Sequence, residues 1–150
     1  MTPYSHIEIR NGNKTKNELV LQVVEFCKTK MFPRAENVEL SIHLVKNLQE
    51  KEGVLGDCFD EGWREYVVRI DKYLDPKTMV ETLCHELVHV KQYVKGQLHE
   101  YETKPGHRWQ KTYIPADTNY ADRPWEKEAF AMEKQLAMEF VYENYNILSL

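Results

Sequence analysis

Asp75-Pro76 opens and Gly96 closes a stretch whose form is dictated both by its ends and by its interior. Asp75 can cap the first free N–H groups of a helix, and Pro76 brings the preset φ of a first helical position. Gly96 supplies a left-handed stop, so the helix is expected to run to about Lys95. On a wheel of about 100° per residue, Met79, Leu83, Leu87, Val90 and Val94 gather at roughly 120–200° from His85. Thr82, Glu86, His89 and Tyr93 fall within roughly 100° of His85, on the adjoining sector. One face therefore belongs to a core. The other gathers two imidazoles and a carboxylate, which a purely packing helix would not do.

The rest of the chain supplies partners for that helix. Thr15-Lys16-Asn17-Glu18 reads as a capping box before Leu19, Val20, Val23, Val24, Phe26 and Cys27. It predicts a first helix over about 15–30, stopped near Pro33. Val38, Leu40, Ile42 and Leu44 alternate with polar residues, as a half-buried strand does. A short strand is expected within 54–59, between Gly53, Gly56 and Gly62, and another where Tyr66, Val68 and Ile70 alternate. Such short spacings favour antiparallel hairpins. Residues 98–123 hold Pro105, Gly106 and Pro115 and no sustained period, which predicts a long, partly ordered loop. Asp122-Arg123-Pro124 then opens a last helix to about Asn144. The order helix, strands, helix, loop, helix predicts one α+β domain spanning residues 1–150.

Composition narrows the function. A net charge of −4 and a pI near 5.9 argue against nucleic acid as the partner. No stretch nears the roughly 20 apolar residues that span a bilayer. The first residues lack the basic-then-apolar run of a secretory signal. Cys27, Cys58 and Cys84 are odd in number with no C-x-x-C pair, which suits reduced thiols better than a disulfide scaffold. A cytoplasmic, intracellular setting is the expectation.

His85-Glu86-Leu87-Val88-His89 is H-E-x-x-H. Residues four apart stack on one helix face, so both imidazoles can reach a single Zn²⁺. Glu86, beside the first ligand, is placed to act as general base. The five-residue pattern alone arises by chance in roughly one chain of this length in a few hundred. Its position inside a capped, two-faced helix is what gives it weight.

Zinc needs a third protein ligand. His99, His107, Glu126, Glu128 and Glu133 follow the motif. On the wheel of the last helix, Glu126 lies within roughly 60° of Ala129, Phe130, Ala137 and Phe140. There an unpaired carboxylate would be costly, and a metal ion would remove the cost. Glu128 lies near 200°, with Gln135 and Glu139, on the wet side. Glu133 shares the inward face and suits an acceptor for a ligand histidine. The alternative is an early-turn acid at Glu126 favoured only by the helix dipole.

His85-Glu86-Leu87-Val88-His89 followed by Glu126-Lys127-Glu128-Ala129 resembles the gluzincin pattern, H-E-x-x-H then E-x-x-A. The stretches Leu83–Tyr93 and Pro124–Ala129 are similar to small metallopeptidases of bacterial viruses. The resemblance covers roughly residues 64–140. It implies zinc ligands His85, His89 and Glu126, catalytic Glu86, peptide or protein substrates and an infected host cell as the setting. It also implies a zincin-like fold: a small antiparallel or mixed sheet against the N-terminal and motif helices, with an edge strand at about 64–71 lining the cleft. Phe130 stands where many gluzincins carry an Asp that orients a histidine, so that partner must come from elsewhere.

A rival resemblance is to the SprT-like family, in which a histidine beyond the motif is the third ligand. Gly106-His107-Arg108-Trp109 is similar to its H-G-x-x-F segment, with the glycine displaced, and offers His107. Tyr93, His107, Arg108, Tyr113 and Tyr120 are all candidate oxyanion donors. A second class of function is a zinc-stabilised binding module without catalysis.

Overall fold

The computed structural model describes residues 6–144, so the first residues read for a leader lie outside it. β1 (His6–Arg10) leads to α1 (Lys14–Met31), β2 (Glu39–Val45) and a short α2 (Leu48–Glu52). The hairpin β3 (Gly56–Gly62) and β4 (Glu65–Asp71) precedes the motif helix α3 (Pro76–Val94). Three short strands follow: β5 (Leu98–Glu100), β6 (His107–Trp109) and β7 (Thr112–Ile114). A 3-10 turn at Tyr120–Asp122 then enters α4 (Pro124–Glu143).

The caps decide where the helices begin. Asp75 accepts from the Thr78 N–H at 3.2 Å and starts α3 as expected. The first helix starts earlier than its capping box predicts. Asn13 is its cap, with Oδ1 accepting from the Lys16 N–H at 2.8 Å.

The fold is α+β with a four-stranded mixed sheet, ordered β1-β2-β4-β3. Only β3–β4 is an antiparallel hairpin; β1–β2 and β2–β4 are parallel. Of the two arrangements expected, the mixed sheet is the one formed: β2 pairs with β4 in parallel instead of forming a hairpin, because α2 and β3 carry the chain across, as α1 does between β1 and β2. Leu40, Ile42 and Leu44 of β2 and Tyr66, Val68 and Ile70 of β4 join Val20, Val23 and Val24 of α1 and Leu83, Leu87 and Val90 of α3 in one buried cluster.

The edge strand beside α3 is β3, not 64–71 as the resemblance implied. The physical reason lies in composition. β4 buries three large apolar residues and sits between two neighbours. β3 (Gly-Asp-Cys-Phe-Asp-Glu-Gly) is polar and glycine-rich, as exposed edges tend to be. Gly56 lets this strand lie close to α3: a Cβ there would stand 2.8 Å from the Arg69 carbonyl and 3.0 Å from Thr82 Cγ2. The hairpin turns at Trp63 and Arg64, both at positive φ (55° and 60°), as in a type I′ turn.

The region 98–123 is more regular than a loop. β5, β6 and β7 form a second, antiparallel sheet whose first strand packs on α3. Together with α4 and β3 it encloses the motif helix, and every residue from Thr82 to Gln92 is buried. The polar sector of that helix thus faces a covered cleft. No helix among the described residues is long and apolar enough to cross a membrane.

Candidate metal centre

α3 and α4 pack against each other, and their contact brings the first-turn acid of α4 to the histidines of α3. Glu126 Oε1 lies 3.1 Å from His85 Nε2 and 3.0 Å from His89 Nε2. All three residues are buried. Their ligand-capable atoms lie within 4.8 Å of one another, the one such cluster among the described residues. The imidazole rings stand nearly perpendicular, 5.0 Å apart between centroids.

This trio fits a metal ion. Two imidazole nitrogens aimed at a single carboxylate oxygen form a convergent donor set, and no Lys or Arg among the described residues ion-pairs with Glu126. Burial would push the Glu126 carboxyl up, but hydrogen bonds from His85 and His89 outweigh it and hold the group down to about 2. Burial likewise pushes the His89 imidazole down, and the Glu126 and Glu86 carboxylates more than reverse this. Without a cation, protons must occupy the space between these atoms. Mixed imidazole and carboxylate donors suit first-row transition metals better than Ca²⁺ or Mg²⁺, which favour oxygen alone.

Glu86 is buried on the same helix and is not one of the three. Burial, partly offset by His89 and His85, pushes its carboxyl up to about 7. It lies where two cavities meet. One, of about 360 Å³, runs past His85, Thr82, Phe130 and Glu133. The other, of about 200 Å³, runs past Asp57, Cys58, His89 and Tyr93. Val54, Gly56, Glu86 and Tyr120 line both. A larger apolar cavity of about 710 Å³, between the start of α3 and the end of α4, touches none of the trio.

His107, on β6, packs its ring against Trp125 at 4.7 Å and is outside the trio. His99, on β5, packs against Tyr101. Arg108 donates to the Gln110 carbonyl and Tyr113 to the Pro105 carbonyl, and neither lines the cleft. Tyr93 stacks on Tyr66 and lines the smaller cavity. Tyr120 lines both cavities, and burial together with the nearby Glu126 carboxylate pushes its hydroxyl up. Phe130 is half exposed, its ring 4.7 Å from His85, instead of pointing into the core.

Among the histidines' outer partners, Gln92 is the one that wheel and motif did not single out. His89 Nδ1 lies 2.8 Å from Gln92 Oε1. His85 Nδ1 has no hydrogen bond; Glu133 Oε2 stands 3.7 Å from it, near but short of the acceptor contact expected of Glu133. Glu128, expected on the wet side, turns back to α3: it accepts from Lys91 Nζ at 2.7 Å and from Gln92 Nε2 at 3.1 Å. The i, i+3 spacing of His89 and Gln92 was the available signal for the first of these.

No protein-family model, curated protein or solved structure matches the chain.

Proposed function

We propose that this chain is a zinc-dependent peptidase of zincin-like build, with His85, His89 and Glu126 as ligands and Glu86 as general base. What carries the reading is the company Glu86 keeps. A buried carboxyl held near neutrality, at about 7, sits beside a three-donor cluster and borders both cavities of the cleft. A carboxyl that is only structural has no need of that combination.

Zinc held by three protein donors keeps a position for water, lowers the pKa of that water and polarises a carbonyl. The chain's residues do the rest. Glu86, as carboxylate, takes the proton of the attacking water and passes it to the departing amine. Tyr120, which lines both cavities together with Glu86, is the best-situated donor to the developing oxyanion. The free edge of β3 beside the cleft offers backbone groups to an extended polypeptide, which favours peptide or protein substrates. The cover of α4 and the β5–β7 sheet limits water around Glu86.

Glu86→Gln tests the reading. The variant should bind zinc as the parent does, while hydrolysis of a mixed peptide library falls by about 10²–10⁴-fold. A variant that still cleaves at the parent's rate removes Glu86 as base. A parent that binds zinc and cleaves no peptide points to the non-catalytic module.

A further inference from the structure

Gln92 is fully buried, and its side-chain contacts admit one arrangement. Its amide faces the Trp125 carbonyl at 3.0 Å and Glu128 Oε1 at 3.1 Å. Both are acceptors only, so the NH₂ group must point at them. Glu128 cannot readily turn away, because the Lys91 ammonium holds the same oxygen at 2.7 Å. The Gln92 carbonyl oxygen is left facing His89 Nδ1 at 2.8 Å, and an oxygen without a proton can only accept. His89 must therefore carry a proton on Nδ1. In the neutral ring the free lone pair then lies on Nε2, the atom that points at Glu126.

We propose that Gln92 is a positioning residue that fixes the tautomer and ring angle of His89 for metal binding, and that Glu128, from α4, acts through it. The proposal rests on the reading of His85, His89 and Glu126 as a metal site. It assigns roles to two residues outside H-E-x-x-H: Gln92, and Glu128, the second Glu of Glu126-Lys127-Glu128-Ala129. It also makes the α3–α4 contact part of the site: a largely buried ion pair, Lys91–Glu128, is linked through one amide to a ligand ring. A purely structural strut between the helices would affect stability, but it would not dictate which histidine nitrogen bears the proton.

The test uses the full chain, Zn²⁺ titrated against a chromophoric chelator, and ¹⁵N-histidine NMR of the zinc form. In the parent, His89 should bear a single Nδ1 proton protected from exchange. Gln92→Met keeps side-chain length and apolar packing but removes the acceptor. It should weaken zinc binding roughly 10- to 100-fold and release that proton to rapid exchange. Glu128→Ala, at a partly exposed position, should shift both readouts in the same direction by a smaller factor. If Gln92→Met does not fold, Glu128→Ala and the parent's exchange rate still decide. Variants that bind zinc as tightly as the parent, or a parent zinc form with no protected Nδ1 proton on His89, overturn the proposal. A parent that takes up no zinc overturns the metal site itself, which is a different outcome.

Discussion

Glu86 and Glu126 are both buried acids within one small cluster, yet their environments push them in opposite directions. Burial raises Glu86 to about 7, while the two imidazoles overcome burial at Glu126 and hold it at about 2. One is thus suited to exchange a proton and the other to stay charged. A general base works only when ionised, so the rate must fall as pH drops through its pKa. A cation in the cluster can only lower that value, so kcat/KM should lose tenfold per pH unit below a limb at or under about 7. A profile with its acid limb well above 7 contradicts Glu86 as base. At this scale His85, Glu86 and His89 were legible because a helix turn converts spacing directly into geometry. Glu126 was legible because an acid on an apolar face needs a partner. Gln92 and Glu128 were not. Their roles come from the approach of a second helix, and Glu128 counted as solvated on its own wheel.

The elements were legible where pattern and boundary agreed, as in α3, α4 and β4. β1 was missed because its alternation, Ile7 and Ile9 between polar residues, is too short to stand out without its partner β2. The second sheet was missed because each of its strands spans only three residues, too few to show an alternation before they pair. Which strand forms the edge depended on tertiary order, although the polar composition of β3 carried a hint. The β3–β4 turn departs from ordinary preference. Trp63 is 96% exposed and takes a positive φ better suited to Asn or Gly. Trp63→Asn loses no buried contact and relieves left-handed strain, so urea denaturation should show a gain of about 1 kcal/mol. A loss of stability would mean that the tryptophan has packing beyond its turn.

Across the whole molecule, the cluster joins α3 to α4 and therefore ties the core to the last helix. A ligand bound only by the folded chain stabilises it by mass action, about 2.7 kcal/mol at a hundredfold excess over Kd. Chelation with EDTA should accordingly lower Tm by roughly 5–10 °C for a domain of this size. An unchanged Tm after verified metal removal would separate the cluster from the fold. That the fold is α+β could be read from the order of elements. Its parallel pairings could not, because they depend on crossovers through α1 and through α2 and β3 that spacing alone does not reveal.

On the proposed function, two imidazoles from α3 and a carboxylate from α4 hold one zinc ion. X-ray absorption at the zinc edge of the loaded protein, with Glu126→Ala as comparison, reads that shell atom by atom. The predicted result is one zinc per chain, two histidine nitrogens at about 2.0–2.1 Å with oxygen completing a four-coordinate shell, and a lost or altered oxygen contribution in the variant. No zinc uptake, or a shell containing sulfur or a single histidine, would contradict it.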